Sequence, residues 1–159
     1  MIRELRDDDA VVYADLRREA LLDAPLAFAS SPGDDIASSP EAVRQQLRLA
    51  PESVIMGAFR TQLVGAVGLY RDRHLKAAHK VHLWGMYVAP SARRQGIASA
   101  LLDAALQYAG TLPGVSWVHL SVSSAAPAAQ RLYERAGFRV WGTEPEALRH
   151  AGQTAVEHH

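Results

Sequence analysis

The chain has 159 residues, 48% of them hydrophobic, enough to bury one core and few for two of ordinary size. Its 17 Lys and Arg balance 17 Asp and Glu, so a general electrostatic footprint for nucleic acid is excluded and any anion site must be local. The lack of cysteine excludes disulfides, thiol catalysis and cysteine metal sites. No run nears the roughly 18 apolar residues of a membrane span, and Met1, Ile2, Arg3, Glu4 does not open a signal peptide. The expectation is a single cytoplasmic domain over residues 1–159, a monomer or homodimer, with neither membrane nor nucleic acid as partner.

Residues 2–5 suit a short strand, after which Asp7, Asp8 and Asp9 offer an N-cap and an acidic first turn for a helix. Val12, Leu16 and Ala20 line one face of it with Tyr13 beside them, while Asp15, Arg17, Arg18 and Glu19 read as exposed charges. Pro25 ends that helix. Residues 26–39, rich in Ala, Ser, Gly, Asp and Pro, form a long loop on the substrate side with Phe28 as its buried anchor. Ser39 and Pro40 are the N-cap and first residue of a second helix, which buries Val43 and Leu47 and stops at Pro51. Residues 54–59 and 63–70 are two strand-forming runs at hairpin spacing around Arg60, Thr61 and Gln62. A polar loop over 71–80 leads to a strand over 81–89, where Gly85 marks a bulge or close approach.

Next comes Arg93, Arg94, Gln95, Gly96, Ile97, Ala98, Ser99. Pro90 stops the preceding strand, so the loop presents backbone N–H groups and two cations where a helix begins, a place to hold a phosphate. The helix carries Ile97, Leu101, Ala105 and Tyr108 on its apolar row and Ser99, Asp103 and Gln107 on its polar row. A turn at 110–114 precedes a strand over 117–123, and strand, helix, strand implies a parallel crossover. Ala129, Leu132, Tyr133 and Ala136 then fit a fourth helix with Gly137 as its C′ residue. Residues 138–141 start another strand, and 147–150 with 154–159 suit a hairpin around Ala151 and Gly152. The fold class expected is α/β, with a mixed, mostly antiparallel central sheet, helices on both faces and one parallel β-α-β crossover.

Two motifs in this order, Arg93-x-x-Gly96-x-Ala98 after a strand and Leu132, Tyr133 … Gly137, Phe138 at a helix end, resemble the GCN5-related N-acetyltransferase (GNAT) superfamily. That resemblance implies transfer of an acetyl group from acetyl-CoA to an amine by direct attack in a ternary complex. It places the pyrophosphate on the backbone of Arg93, Arg94, Gln95, Gly96, Ile97, Ala98 and Ser99, and the pantetheine along Met86, Tyr87 and Val88, with Ala126 and Ala129 on the facing helix. A backbone N–H of that strand would polarise the thioester carbonyl. Tyr133 would donate to the departing thiolate. Ala126 stands where many members carry an Asn that contacts the pantetheine arm, and it leaves the fourth helix without a capping side chain unless Ser124 caps an earlier start. Similar proteins usually continue past the point where this chain stops, so the last strand is expected to be truncated or His158 and His159 to be the remnant of a tag.

The attacking amine must be neutral, so a base is expected. His82 and His119 sit on predicted central strands where an imidazole could serve; His74 and His79 lie in the preceding loop. None of the histidines forms a helical i, i+4 pair or an acidic cluster, and the adjacent terminal pair has no ligand spacing, so no metal is expected. Only Asp34 and Asp35 are obviously placed to attract a polycation, and so few carboxylates disfavour polyamine or aminoglycoside acceptors. Two other readings remain: a non-catalytic acyl-CoA-binding or regulatory module, and a nucleotide-binding domain. Against the latter, the loop lacks both Gly-Lys-Ser/Thr and Gly-x-Gly-x-x-Gly.

Overall fold

Apolar runs rich in β-branched residues pair to make the centre of the fold, which a computed structural model describes over residues 1–159. Strands β1 (Ile2–Glu4), β2 (Ser53–Phe59), β3 (Leu63–Arg71), β4 (Lys80–Val88) and β5 (Trp117–His119) form one sheet in that order. The first three pairings are antiparallel. β5 runs parallel to β4, with Lys80 opposite Trp117 and His82 opposite His119. β2 and β3 are buried on both faces, as strands covered by helices must be. Val54 and Met56 join a core with Leu101 and Leu102, while Ile55, between them, joins the opposite core with Tyr13 and Leu16. The period of two thus sends neighbouring residues to different helices.

Helices α1 (Ala10–Asp23) and α2 (Pro40–Leu47) cover one face, and α3 (Ile97–Thr111) and α4 (Pro127–Arg135) the other. α2 starts as its sequence dictates: Ser39 Oγ accepts from Ala42 N at 3.2 Å, with Pro40 as the first helical residue. α1 differs from expectation. Asp7–Asp9 form a short 3-10 turn, and Asp9 accepts from Arg6 N at 2.7 Å and pairs with Arg3 at 2.7 Å rather than capping α1. Val12 is exposed, because the buried stripe runs through Tyr13, Leu16, Arg17, Ala20 and Leu21. Ser124 does not cap α4: its Oγ accepts from Val156 N, and Ser123 Oγ takes Ala125 N instead.

The run over 117–123 divides. β5 ends at His119, and Val122–Ser123 (β6) pairs with a second, three-stranded sheet. That sheet is completed by β7 (Thr143–His150) and β8 (Gln153–His158), in the order β6, β8, β7. Residues 138–141 are not a strand. Val140 and Trp141 are exposed, with little to bury their side chains; Trp141 and Gly142 bond only to the backbone of His159, and the ladder with β8 begins at Thr143. The terminal hairpin forms around Ala151 and Gly152, both at positive φ, a conformation matching strand twist in a two-residue loop. His158 lies within β8, and His159 exchanges backbone hydrogen bonds with Gly142. No helix is long and apolar enough to cross a membrane.

Candidate active site

β4 outlasts its parallel partner. Beyond His82 the two strands part, so Tyr87 and Val88 are paired only on the β3 side, where they face Ala66 and Gly65, and Met86 falls in the irregular stretch between Trp84 and Tyr87. A β-bulge at the parting point, with Gly85 at φ +64°, bends the strand as bulges do. The free edge faces a cleft of about 620 Å³. Met86, Tyr87, Val88, Arg93, Arg94, Gly96, Ile97, Ala98, Ser99, Ala126 and Ala129 all line it.

One end of this cleft is the start of α3. Arg94 (φ +59°) and Gly96 (φ +75°) are both left-handed, which folds the loop back on itself so that the helix begins abruptly at Ile97. Gly96 brings no capping side chain, and the first intrahelical bond from this point is Ala100 N to Gly96 O at 3.0 Å. The N–H groups of Ile97, Ala98 and Ser99 therefore lack helical acceptors, on residues that line the cleft, the arrangement that can hold an anion.

The two arginines differ. Arg93 donates from Nε to Val88 O at 2.9 Å and from Nη2 to Asp23 at 2.5 Å, and its guanidinium lies over the Tyr87 ring. Tyr87 also donates to Asp23, at 3.1 Å. The Arg93 hydrogen bond, ahead of that from Tyr87, holds the Asp23 carboxyl below the usual range; burial, ahead of its acidic partners, pushes the Tyr87 phenol up. Arg93 is thus committed to fastening the loop to the end of α1, and Arg94, also exposed, is the cation of the pair left for a ligand. Gln95 lies outside the cleft, accepting from Arg60 and donating to Ser91 O.

A second cleft of about 540 Å³ opens on the other side of Gly85, lined by Arg17, Phe28, Asp35, Tyr70, His82, Trp84 and His119 among others. His82 stacks on Tyr70 with centroids 4.9 Å apart, its Nε2 3.4 Å from Asp72, and its ring lies 5.7 Å from that of His119. Burial, then the charges of His82, Lys80 and His79, lower the pKa of His119. Tyr133 lies apart from the first cleft. It lines a third, of about 400 Å³, together with His119 and Phe138. The residue is 8% exposed, and burial raises its phenol to about 12. Leu132 and Ala129, on the same helix, face the first cleft.

Several residues here carry no local signal. Arg17 and Asp35 read as surface charges, yet they form a buried bidentate pair at 3.1 and 2.8 Å, so Asp35 does not present a carboxylate to a polycation. Burial pushes Asp35 up, and the Arg17 hydrogen bonds and charge with Ala37 N–H pull it further down, to a net value below the usual range. Asp23 and Trp84 were equally invisible, because their partners are distant in sequence. The hairpin also gathers Glu144, Glu157 and His159, whose donor atoms lie within 4.8 Å of one another; a pattern made by strand pairing has no sequence spacing to reveal it.

Residues 14–138 match the acetyltransferase (GNAT) family. A GCN5-related N-acetyltransferase from Kribbella flavida is 26% identical, with a TM-score of 0.78 over 100% of this chain and 96% of that one. The ribosomal-protein-alanine N-acetyltransferase of Brucella melitensis shares the fold at 22% identity and a TM-score of 0.85, over 99% and 96% of the two chains. A Salmonella typhimurium protein solved with its cofactor acetyl-CoA does so at 17% identity and a TM-score of 0.84, over 99% and 90%.

Proposed function

Since the chain belongs to the GNAT family of acetyltransferases, we propose that it transfers the acetyl group of acetyl-CoA to a primary amine by direct attack in a ternary complex. The observation that carries this reading is the free edge of β4, which runs from the bulge at Gly85 to the anion-holding start of α3 along one cleft. Pyrophosphate sits on the N–H groups of residues 96–99 beside Arg94. The amides of pantetheine pair with the β4 edge at Met86 to Val88, as an added strand would. Ala126, Ala129 and Leu132 wall the arm on the α4 side. The thioester then falls near Gly85, where a backbone N–H polarises its carbonyl.

From the second cleft, the amine nitrogen attacks the carbonyl carbon, the C–S bond breaks, and CoA leaves as a thiolate while the nitrogen loses a proton. His119 and His82 are the groups that take that proton, directly or through water. Because the pKa of His119 is lowered, its imidazole is neutral through pH 7 and becomes charged only as pH falls below the ordinary value of about 6.5. At saturating substrates, kcat is expected to fall on the acid side with an apparent pKa below about 6.5, and His119→Ala to remove that limb. An acid limb unchanged in His119→Ala would exclude it as the base.

Tyr133 lines the third cleft rather than the first, but it shares α4 with Ala129 and Leu132, which wall the first; the role proposed for it, if its hydroxyl reaches the sulfur from there, is a hydrogen bond to the leaving group. From a phenol near 12 to a thiol near 8.5, proton transfer runs uphill by about 5 kcal/mol, whereas a hydrogen bond that strengthens as charge develops favours the transition state. Tyr133→Phe is expected to lower kcat by roughly ten- to a hundredfold, the worth of a hydrogen bond to a charged group, with little change in the KM for acetyl-CoA. Wild-type turnover in the folded variant would remove this role. The reading as a whole is tested by free CoA released in the presence and absence of a panel of small amines. Amine-dependent release supports it; acetyl-CoA binding without release would instead describe an acyl-CoA-binding module.

A further inference from the structure

Two buried N–H donors on the acceptor side have no partner: Arg17 Nη1 and Trp84 Nε1. Both residues line the second cleft, the one that Gly85 shares with the thioester position. The Arg17 side chain is only 7% exposed. Its Nε and Nη2 are consumed by Asp35, which leaves Nη1 against the side-chain-free face of Gly85, 3.1 Å from where a Cβ would stand. The indole of Trp84 lies over Gly68, within the space that a side chain there would fill, and the guanidinium sits over its ring at 5.6 Å. An unmade hydrogen bond on a buried donor is costly, so such a pair beside the reacting centre calls for an acceptor atom supplied by a ligand.

Charge decides the kind of acceptor. Arg17 is already neutralised by Asp35, and the only other carboxylate in this wall is that of Glu157. The cleft therefore offers two spare donors and no surplus positive charge, which suits an uncharged oxygen rather than a carboxylate. The rest of the wall mixes apolar side chains, Phe28, Ile36, Leu120 and Trp141, with Ser30, Gln46, Ser121 and the histidines, so one patch of it suits an apolar side chain. On the acetyltransferase reading of this site, we propose that the acceptor is an α-amino amide with an apolar side chain, its amide carbonyl oxygen received by Arg17 Nη1 and Trp84 Nε1. The chemistry of the amine agrees. An α-amine of pKa near 8 is roughly a tenth neutral at pH 7, against less than one part in a thousand for an alkylamine near 10.4. Imidazoles are then sufficient bases.

The test is calorimetric binding of leucinamide, isoamylamine and leucine to the protein loaded with CoA, which cannot turn over. Leucinamide is expected to bind about tenfold more tightly than either of the others, as a site built around donors rejects ligands without the matching oxygen. Trp84→Phe keeps an aromatic ring over Gly68 and deletes one donor; a thermal melt establishes that it is folded. In that variant, leucinamide is expected to lose most of its advantage over isoamylamine, a ratio in which the pKa of each amine cancels. A tripeptide beginning with leucine tells a small amide from a chain terminus, and tight binding by either supports the class. Equal affinity for leucinamide and isoamylamine, no binding by any amide, or a ratio unmoved in Trp84→Phe overturns it. CoA release with isoamylamine, measured on the same wild-type sample, judges the acetyltransferase reading separately.

Discussion

Gly96→Glu is expected to weaken acetyl-CoA binding by at least about a hundredfold. No protein atom lies within 4 Å of the position a Cβ would take at Gly96, so the substitution creates no clash in the protein itself. Two other effects act. The residue sits at φ +75°, where a side chain costs about 1–2 kcal/mol. A carboxylate about 4 Å from a phosphate is repelled by up to about 4 kcal/mol at an effective dielectric of 20, and solvent at the cleft mouth lowers this to roughly half. With the free loop relaxing out of the left-handed conformation and binding restoring it, the two amount to about 3 kcal/mol, or somewhat more than a hundredfold in Kd. Gly96→Ala carries the backbone effect alone and is expected to lose about tenfold. Calorimetric titration of both variants separates strain from charge. Undiminished affinity in folded Gly96→Glu would move the pyrophosphate elsewhere.

The second large effect falls on stability. Arg17→Met strands the Asp35 carboxylate, which is 5% exposed, and is expected to cost about 3–5 kcal/mol, a fall in Tm of roughly 6–20 °C for a chain of this size. The pH dependence has a definite sign. The folded pKa of Asp35 is depressed, so its contribution to the wild type is present above the unfolded value of about 3.9 and is lost as pH falls through the folded one. In Arg17→Met, burial without the guanidinium raises that pKa and the carboxyl takes up a proton. The gap between variant and wild type is therefore widest near neutrality and narrows in acid. Replacing both partners, Arg17→Met with Asp35→Leu, is expected to recover most of the loss, since well-packed apolar residues replace buried pairs at little cost. Melting curves at pH 7 and pH 4 check each step; a single variant as stable as wild type at pH 7 would show the pair to be dispensable.

What the sequence made legible was local. Ser39 followed by Pro40, Gly85 inside a strand and Gly137 after a helix each act within a few residues of themselves and do in the structure what their chemistry dictates, and the loop from Arg93 to Ser99 turns sharply into the start of α3. The hairpins followed for the same reason. What was not legible is long-range. The division of 117–123 between two sheets depends on where β8 lies. The apolar run at 138–141 looks like a strand until the exposure of Val140 and Trp141 becomes visible. Arg17 and Asp35 are 18 residues apart, Asp23 and Arg93 are 70 apart, and neither pairing leaves a pattern in composition or periodicity. The separation of Tyr133 from the first cleft is also tertiary, decided by which face of α4 the parted strands accept. On the proposed reading, donor recognition is thus written in a short loop, and acceptor recognition is spread over α1, the loop that follows it and three strands.

Direct attack in a ternary complex is the central claim, and initial rates of CoA release with acetyl-CoA and the amine both varied test it most directly. If the thioester lies on the β4 edge and the amine enters from the other side of Gly85, as proposed, both substrates must be bound before any bond breaks. Double-reciprocal plots are therefore expected to converge. Parallel lines, the signature of an acylated enzyme, or CoA release that does not depend on the amine at all, would contradict the account.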